Sequence, residues 1–290
     1  MTLEINSPCK VNLLLNILGR RADGFHELET LMQPVKVFDR LSFSRGGSGV
    51  QLTCSTPGLP TDSRNLVHRA ATIFLEKANI RDGLHVHLEK HIPLAAGLGG
   101  GSGNAATTLS ALNQMFGAPL SAPQLHELAA SLGSDIPFFL QSNPALATGR
   151  GERVQPLEPF RALQGAGLLL VHPGFGIETA WAYRQLARFP DALRGQPGRA
   201  ARLISLLQAA DLSAAGREFY NSLEAPALEK FPLLAIFQEF LRVQGAAAAL
   251  MSGSGSTTFA ITHSPDAAEA LAEAFKTKFG ESCWLATVPV

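Results

Sequence analysis

At 290 residues, 46% of them apolar, the chain can form one large or two modest domains with a substantial core. Twenty-four basic residues balance 24 acidic ones, which removes the electrostatic case for nucleic acid or an anionic membrane as partner and leaves only a local basic site. Three cysteines, Cys9, Cys54 and Cys283, lie far apart without a C-x-x-C spacing, so free thiols in a cytoplasmic protein are expected rather than a disulfide framework or a zinc site.

The opening stretch MTLEINSPCKVNLLLNILGRR has no basic start, no long apolar segment and no cleavage signal, so no signal peptide is expected. No run approaches the roughly 20 apolar residues of a membrane helix. Val11, Leu13, Leu15 and Ile17 alternate as one buried strand face, which puts Lys10, Asn12 and Asn16 on the other. RRADGFHEL reads as a loop, LETLMQPV and DRLSFSR as two further strands, and GGSGVQLTCSTPGLPTDSRN as hairpin and loop. NLVHRAATIFLEKA has helical spacing, with Leu66, Ala70, Ile73 and Phe74 on one face. GLHVHLEK is a strand with Leu84, Val86 and Leu88 inward and His85 and His87 outward; the H-x-H has no evident third ligand, so a solvated face is expected.

Ala105, Leu109, Leu112 and Phe116 predict a helix stopped by Gly117 and Pro119. Ser121 and Gln124 form a capping-box pattern for the next helix, which ends at Gly133. The turn-rich segment before residue 165 marks a domain boundary, placed at 158/159, between an N-terminal domain 1–158 and a C-terminal domain 159–290. Beyond it, GLLLVHP predicts a buried strand, followed by helices near 177–187, 200–210 and 225–242. AAAALMSGSGSTTFAI reads as strand, tight turn, strand; SPDAAEALAEAFKTKF as a helix capped by Ser264; and CWLATVPV as a last strand. The pattern is α+β in two halves, with no internal repeat.

One stretch resists explanation as ordinary core. HIPLAAGLGGGSGNAATTL carries five glycines within the seven positions Gly97 to Gly103, and a helical pattern follows at once. Glycine loses the most backbone entropy on folding, so such a run asks for a reason. Walker A fails, because no lysine precedes Ser102; the dinucleotide fingerprint fails at Ser102, where its third glycine should stand. The hydrolase elbow G-x-S-x-G fails at both Ser102 and Ser254. The physics of an anion loop survives all three failures: glycines let backbone N–H groups approach phosphate, and a helix starting near Gly103 adds its positive end.

PLAAGLGGGSGNAA resembles the phosphate loop of the GHMP kinases. SPCKVNLLLNILGRRADGFHEL, SLGSDIPFFL and MSGSGST, in the same order and spacing, narrow the resemblance to the 4-diphosphocytidyl-2-C-methyl-D-erythritol kinases over essentially the whole chain. The resemblance implies a two-domain GHMP kinase fold, with an N-terminal domain like ribosomal protein S5 domain 2 and a ferredoxin-like C-terminal domain. It implies transfer of the ATP γ-phosphoryl group to the 2-hydroxyl of a substrate carrying cytidine diphosphate, a step toward isoprenoid precursors.

Residue by residue, it implies an ATP cradle from Pro93, Leu94, Ala95, Ala96, Gly97, Leu98, Gly99, Gly100, Gly101, Ser102 and Gly103. It implies Asp135 as catalytic base and Lys10 as the catalytic lysine that keeps it ionised; on residues alone Asp135 reads first as a helix cap, and Lys10 fits a solvated strand lysine as well. His26 matches a position that hydrogen-bonds cytosine, Phe25 is expected to stack on the base with Tyr183 opposite, and Asn12 lies beside Lys10 as a substrate contact. Mg²⁺ is expected to arrive with ATP, with Ser102 its candidate protein contact and no dedicated metal site. Two positions depart from the family pattern: Gly103 stands where a second serine is usual, and Phe25 where tyrosine is frequent. Another GHMP small-molecule kinase, or a non-catalytic nucleotide-binding protein on the same fold, remains an alternative, and the sequence says nothing of oligomeric state.

Overall fold

The computed structural model describes residues 2–290, which form two compact units. One comprises residues 2–9, Val37–Ile92 and Gly99–Ser142; the other comprises Lys10–Lys36, Pro93–Leu98 and Asn143–Val290. Strands β1 (Thr2–Arg20) and β2 (His26–Arg45) each contribute residues to both.

In the first unit the Arg40–Arg45 end of β2 pairs antiparallel with β4 (Leu84–Glu89), and β3 (Val50–Cys54) runs parallel to β4. That parallel pairing corrects the hairpin expected here. Val50 aligns with Leu84, and helix α1 (Leu66–Lys77) makes the crossover that a parallel pair needs. Asn65 caps α1 by accepting the Val67 N–H, and Val67, Ala70, Ala71 and Phe74 form its buried face. α1 packs on α2 (Gly100–Met115) and α3 (Ala122–Leu132). Ser121 and Gln124 form the expected capping box at the start of α3, with Gln124 Oε1 accepting the Ser121 N–H at 2.9 Å. On β4, His85 and His87 are exposed and alternate with buried Leu84, Val86 and Leu88, as a solvated face requires.

In the second unit β5 (Ala145–Gly149) pairs antiparallel with Leu28–Met32 of β2 and with β6 (Arg153–Pro156). LETLMQPV and DRLSFSR are thus parts of one 20-residue strand that pairs with different partners at its two ends, a correction to the two strands expected. The remaining elements are β7 (Gly167–His172), α4 (Thr179–Gln185), α5 (Pro190–Leu193), α6 (Arg199–Gln208), α7 (Leu212–Glu218), β8 (Tyr220–Asn221), α8 (Glu224–Lys230), α9 (Pro232–Val243), β9 (Ala248–Met251), β10 (Thr258–Thr262), α10 (Pro265–Phe279) and β11 (Trp284–Pro289).

The helix expected over 225–242 is two helices. Pro232 supplies no N–H and disfavours helical geometry at Phe231, whose ψ is 73°. β8 pairs parallel with β1, Leu14 opposite Tyr220 and Leu15 opposite Asn221. The antiparallel sheet of order β11-β7-β10-β9, with α9 and α10 packed on it, is the ferredoxin-like arrangement. Ser264 caps α10 through the Ala267 N–H. No helix among the described residues is long and apolar enough to cross a membrane.

Candidate active site

β1 departs from simple alternation. Every residue from Cys9 to Ile17 is buried, so both faces of the strand are covered, and Lys10 retains only 2% of its accessible surface. A solvated strand lysine is therefore excluded. An ammonium group removed from water needs polar partners. The Lys10 Nζ donates to the Asn12 side-chain carbonyl and, at 2.7 Å, to the Gly97 carbonyl oxygen. Asn12 is fixed in turn, its Nδ2 donating to Thr30 Oγ1 at 2.8 Å, which donates to the Leu14 carbonyl at 2.7 Å.

The glycine-rich stretch is held from the same side. The Lys10 N–H donates to Leu98 O, and Ala96 O accepts from the Thr257 N–H. Ser252 Oγ donates to Gly97 O at 3.0 Å, and the Asn12 N–H reaches Ser252 Oγ at 3.4 Å. Gly97 has φ +76°, and a Cβ there would lie 2.0 Å from Ser252 O, so the SGSGS turn itself demands that glycine. Pro93 to Leu98, with Lys10, Asn12 and this turn, all lie in the second unit. Tyr183 and His26 lie there too, ring centroids 5.2 Å apart. Burial lowers the His26 pKa below its ordinary value, with the Arg20 charge acting in the same direction, so the imidazole is neutral at pH 7 and offers one donor and one acceptor. Phe25 is half exposed, with the Arg150 guanidinium 4.8 Å above its ring.

Gly99 to Gly103 and Asp135 belong to the first unit. Helix α2 begins at Gly100 rather than near Gly103, because Gly99 takes φ +69° as its N-cap. Three of the glycines are therefore helical. Gly103 is required by packing: a Cβ would lie 2.4 Å from Pro8 O and 3.2 Å from Ser7 Oγ, which accounts locally for the missing serine. A Cβ on Gly100 would lie 3.0 Å from both Ile92 Cγ2 and Lys90 Nζ. Gly101 is different. It is exposed and helical, and a Cβ would meet only Leu66 Cδ1, at 3.8 Å. Neither backbone conformation nor packing requires glycine there.

The start of α2 is anchored by a buried polar cluster. Asp39, fully buried, pairs with Lys90 and accepts the His91 and Ile92 N–H groups at 2.8 Å. Asn104 donates to both Asp39 and Ser7. Asp135 is partly buried at the exit of α3. The helix after it is a 3₁₀ turn, Pro137–Leu140, whose N-cap residue is Ile136 with no side-chain cap bond. Capping is thus not what holds an aspartate at 135. Asp39, Asn104, Ser252 and Thr30 escaped sequence reasoning as site-shaping residues; of these Asn104 and Ser252 carried a signal, their places in quoted motifs.

The chain matches the family model for the GHMP kinases N terminal domain over residues 65–143 and that for the GHMP kinases C terminal domain over 192–281. It is 41% identical over 279 residues to a 4-diphosphocytidyl-2-C-methyl-D-erythritol kinase of Syntrophotalea carbinolica, covering 94% of each chain. It is 42% identical over 258 residues to a protein of the same name from Synechococcus sp., covering 87% of this chain and 82% of the relative. A crystal structure of a 4-(cytidine 5'-diphospho)-2C-methyl-D-erythritol kinase superposes with TM-score 0.79 at 35% identity, covering 99% of this chain and 100% of that one. A homoserine kinase from Cytophaga hutchinsonii, at 20% identity and TM-score 0.73 over 99% of this chain and 93% of that one, shares the fold.

Proposed function

Since this chain belongs to the 4-diphosphocytidyl-2-C-methyl-D-erythritol kinase family of the GHMP kinases, we propose that it transfers the γ-phosphoryl group of ATP to the 2-hydroxyl of the methylerythritol unit of 4-diphosphocytidyl-2-C-methyl-D-erythritol. The observation that carries the reading is Lys10: a lysine with 2% exposure, hydrogen-bonded to the carbonyl of Gly97 within the phosphate-loop motif. A buried ammonium there supplies fixed positive charge where phosphoryl oxygens accumulate negative charge, and it needs no reorganisation at the moment of transfer.

In this reading Asp135 accepts the proton of the attacking hydroxyl, and Lys10 favours the ionised form of that carboxylate. The loop Pro93–Gly103 takes the phosphates, its glycines admitting backbone N–H groups and the first turn of α2 adding its positive end. The fold does not require glycine at 101, so in this reading Gly101 is the position where a phosphate comes close. Mg²⁺ enters as part of the ATP substrate, with Ser102 as its candidate contact; no cluster of three or more His, Cys, Asp or Glu among the described residues is grouped to hold a metal. Neutral His26 hydrogen-bonds the cytosine edge, Phe25 and Tyr183 offer the base its stacking faces, and Asn12 orients the sugar-alcohol end. The two-domain boundary at 158/159 and a cytoplasmic location belong to the same reading.

The test is direct. Purified protein with MgATP and the cytidyl substrate should yield ADP and a 2-phosphorylated product visible by phosphorus NMR. Turnover of another small alcohol, with none of the cytidyl compound, would assign the chain to a different GHMP kinase activity; nucleotide binding with no turnover of any alcohol would make it a non-catalytic binder.

A further inference from the structure

We infer that Asn221 is a positioning residue for phosphoryl transfer, setting the SGSGS turn against Lys10; the inference rests on the kinase reading above. Asn221 is 2% exposed and forms half of the two-residue strand β8. Its backbone belongs to β1: Leu15 is its register partner, the next N–H, of Ser222, donates to Leu15 O at 2.8 Å, and Ser222 Oγ accepts the Ile17 N–H at 3.0 Å. Its side chain belongs to the turn: Nδ2 donates to both Met251 O and Gly253 O, each at 2.8 Å. The Oδ1 accepts the Leu223 N–H at 2.9 Å, which locks the amide orientation and aims both donor hydrogens at the turn.

The consequence reaches the reacting end of the strand. β1 carries Lys10 and Asn12, and the turn carries Ser252 and Gly253. A Cβ on Gly253 would stand 3.2 Å from Lys10 Nζ and from Asn12 Oδ1, and 3.0 Å from Gly97 O. The turn therefore forms one wall of the space that the lysine head occupies. Glu224 holds the other side of the same residue, accepting the Met251 N–H at 2.8 Å while Gln238 donates to it. Met251 is thus gripped at both its N–H and its carbonyl, but only Asn221 reaches past it to Gly253. A buried amide satisfied at three points resists displacement, because each lost partner leaves an unpaired buried group. The Asn221 side-chain bonds go to Met251, Gly253 and Leu223, so it acts through the turn.

Three variants test this. Asn221→Asp keeps the acceptor for Leu223 N–H and the side-chain size but loses both donors. Asn221→Ser keeps a short acceptor and loses the reach. Leu271→Val, in the α10 core, serves as a control that lowers Tm without approaching the turn. The expected result for the two Asn221 variants is a fall in kcat of about 10- to 100-fold, the scale of a small misplacement of a catalytic group, with KM for both substrates within about threefold of the parent. Leu271→Val should leave kcat unchanged. Hydrogen exchange, measured without substrates, should accelerate in peptides spanning 252–257 and 96–98 in the Asn221 variants alone. If kcat falls no further than in the control, or if those peptides keep their protection, the inference is wrong. If the parent shows no kinase activity, the functional reading fails, and the exchange data still decide whether Asn221 holds the turn.

Discussion

Gly101 separates the demands of the fold from those of a ligand. It stands at the second position of α2, its φ is not left-handed, and a Cβ would meet nothing nearer than Leu66 Cδ1 at 3.8 Å. Gly101→Ala should therefore be tolerated or stabilising, since glycine in a helix costs up to about 1 kcal/mol relative to alanine. A gain of that size would raise Tm by about 2–4 °C in a domain of this class. Gly101→Val should remain folded too, with the Leu66 side chain giving slightly. Nucleotide affinity should move the other way, because the new methyl groups occupy the space a phosphate needs. We expect ATP affinity to fall at least tenfold, about 1.4 kcal/mol. The assay pairs thermal unfolding without nucleotide with calorimetric titration of MgATP. The two are linked: at 100 times the parent Kd, ATP adds about 2.7 kcal/mol of stability, and a tenfold weaker variant keeps about 1.4 at the same concentration. Gly101→Val that folds and binds ATP with parental affinity would refute the cradle assignment. The same substitution at Gly97 offers no such separation, because its Cβ would strike Ser252 O.

Asp135→Asn should leave Tm nearly unchanged, since no side-chain cap bond supports the 3₁₀ turn, and should lower single-turnover phosphoryl transfer by roughly 10²–10⁴; a rate within about threefold of the parent would exclude a base at this position. Lys10→Met should show a comparable loss, and the double variant far less than the product of the two, because groups acting as a unit are not additive. His26→Ala should narrow the difference between CMP and UMP in ligand-induced Tm shift if the imidazole has its proposed role of distinguishing an amine from a carbonyl on the base edge; a parent that responds equally to both would remove that role. Burial pushes the Glu224 carboxyl up to about 6, against the opposing bonds from the Met251 N–H and Gln238 and the attraction of Arg242. The folded state thus favours the protonated form. Its contribution is full below the unfolded pKa near 4.5 and is lost as pH rises through about 6, by at most about 2 kcal/mol. Urea titrations from pH 4 to 7 should show that decline in the parent and lack it in Glu224→Gln.

Much of this protein was legible without a fold. The loop motif, the GFH, SDIPFF and SGSGS stretches and their order pointed to one kinase family, because each is a local arrangement that a nucleotide or a backbone turn dictates directly. The Ser264 cap, the stop at Gly117, the outward His85 and His87 and the buried strand at 167–172 likewise follow from chemistry within a few residues. What the sequence could not contain is which surfaces become covered. Alternation along β1 identified one apolar face, but Lys10, Asn12 and Asn16 are buried because chain from far away closes over the second face, and a period of two carries no record of that. The glycines divide for the same reason. Five in seven positions read as one loop, yet Gly97 answers to a turn 155 residues further on and Gly103 to a carbonyl on β1, while Gly101 answers to nothing in the chain. Asn221 is the extreme case: an isolated asparagine in YNSLE acquires its meaning from Leu15 on one side and Gly253 on the other. A hydrogen bond between residues distant in sequence exists only once the chain between them has folded, so its partners are set by tertiary structure and not by local pattern.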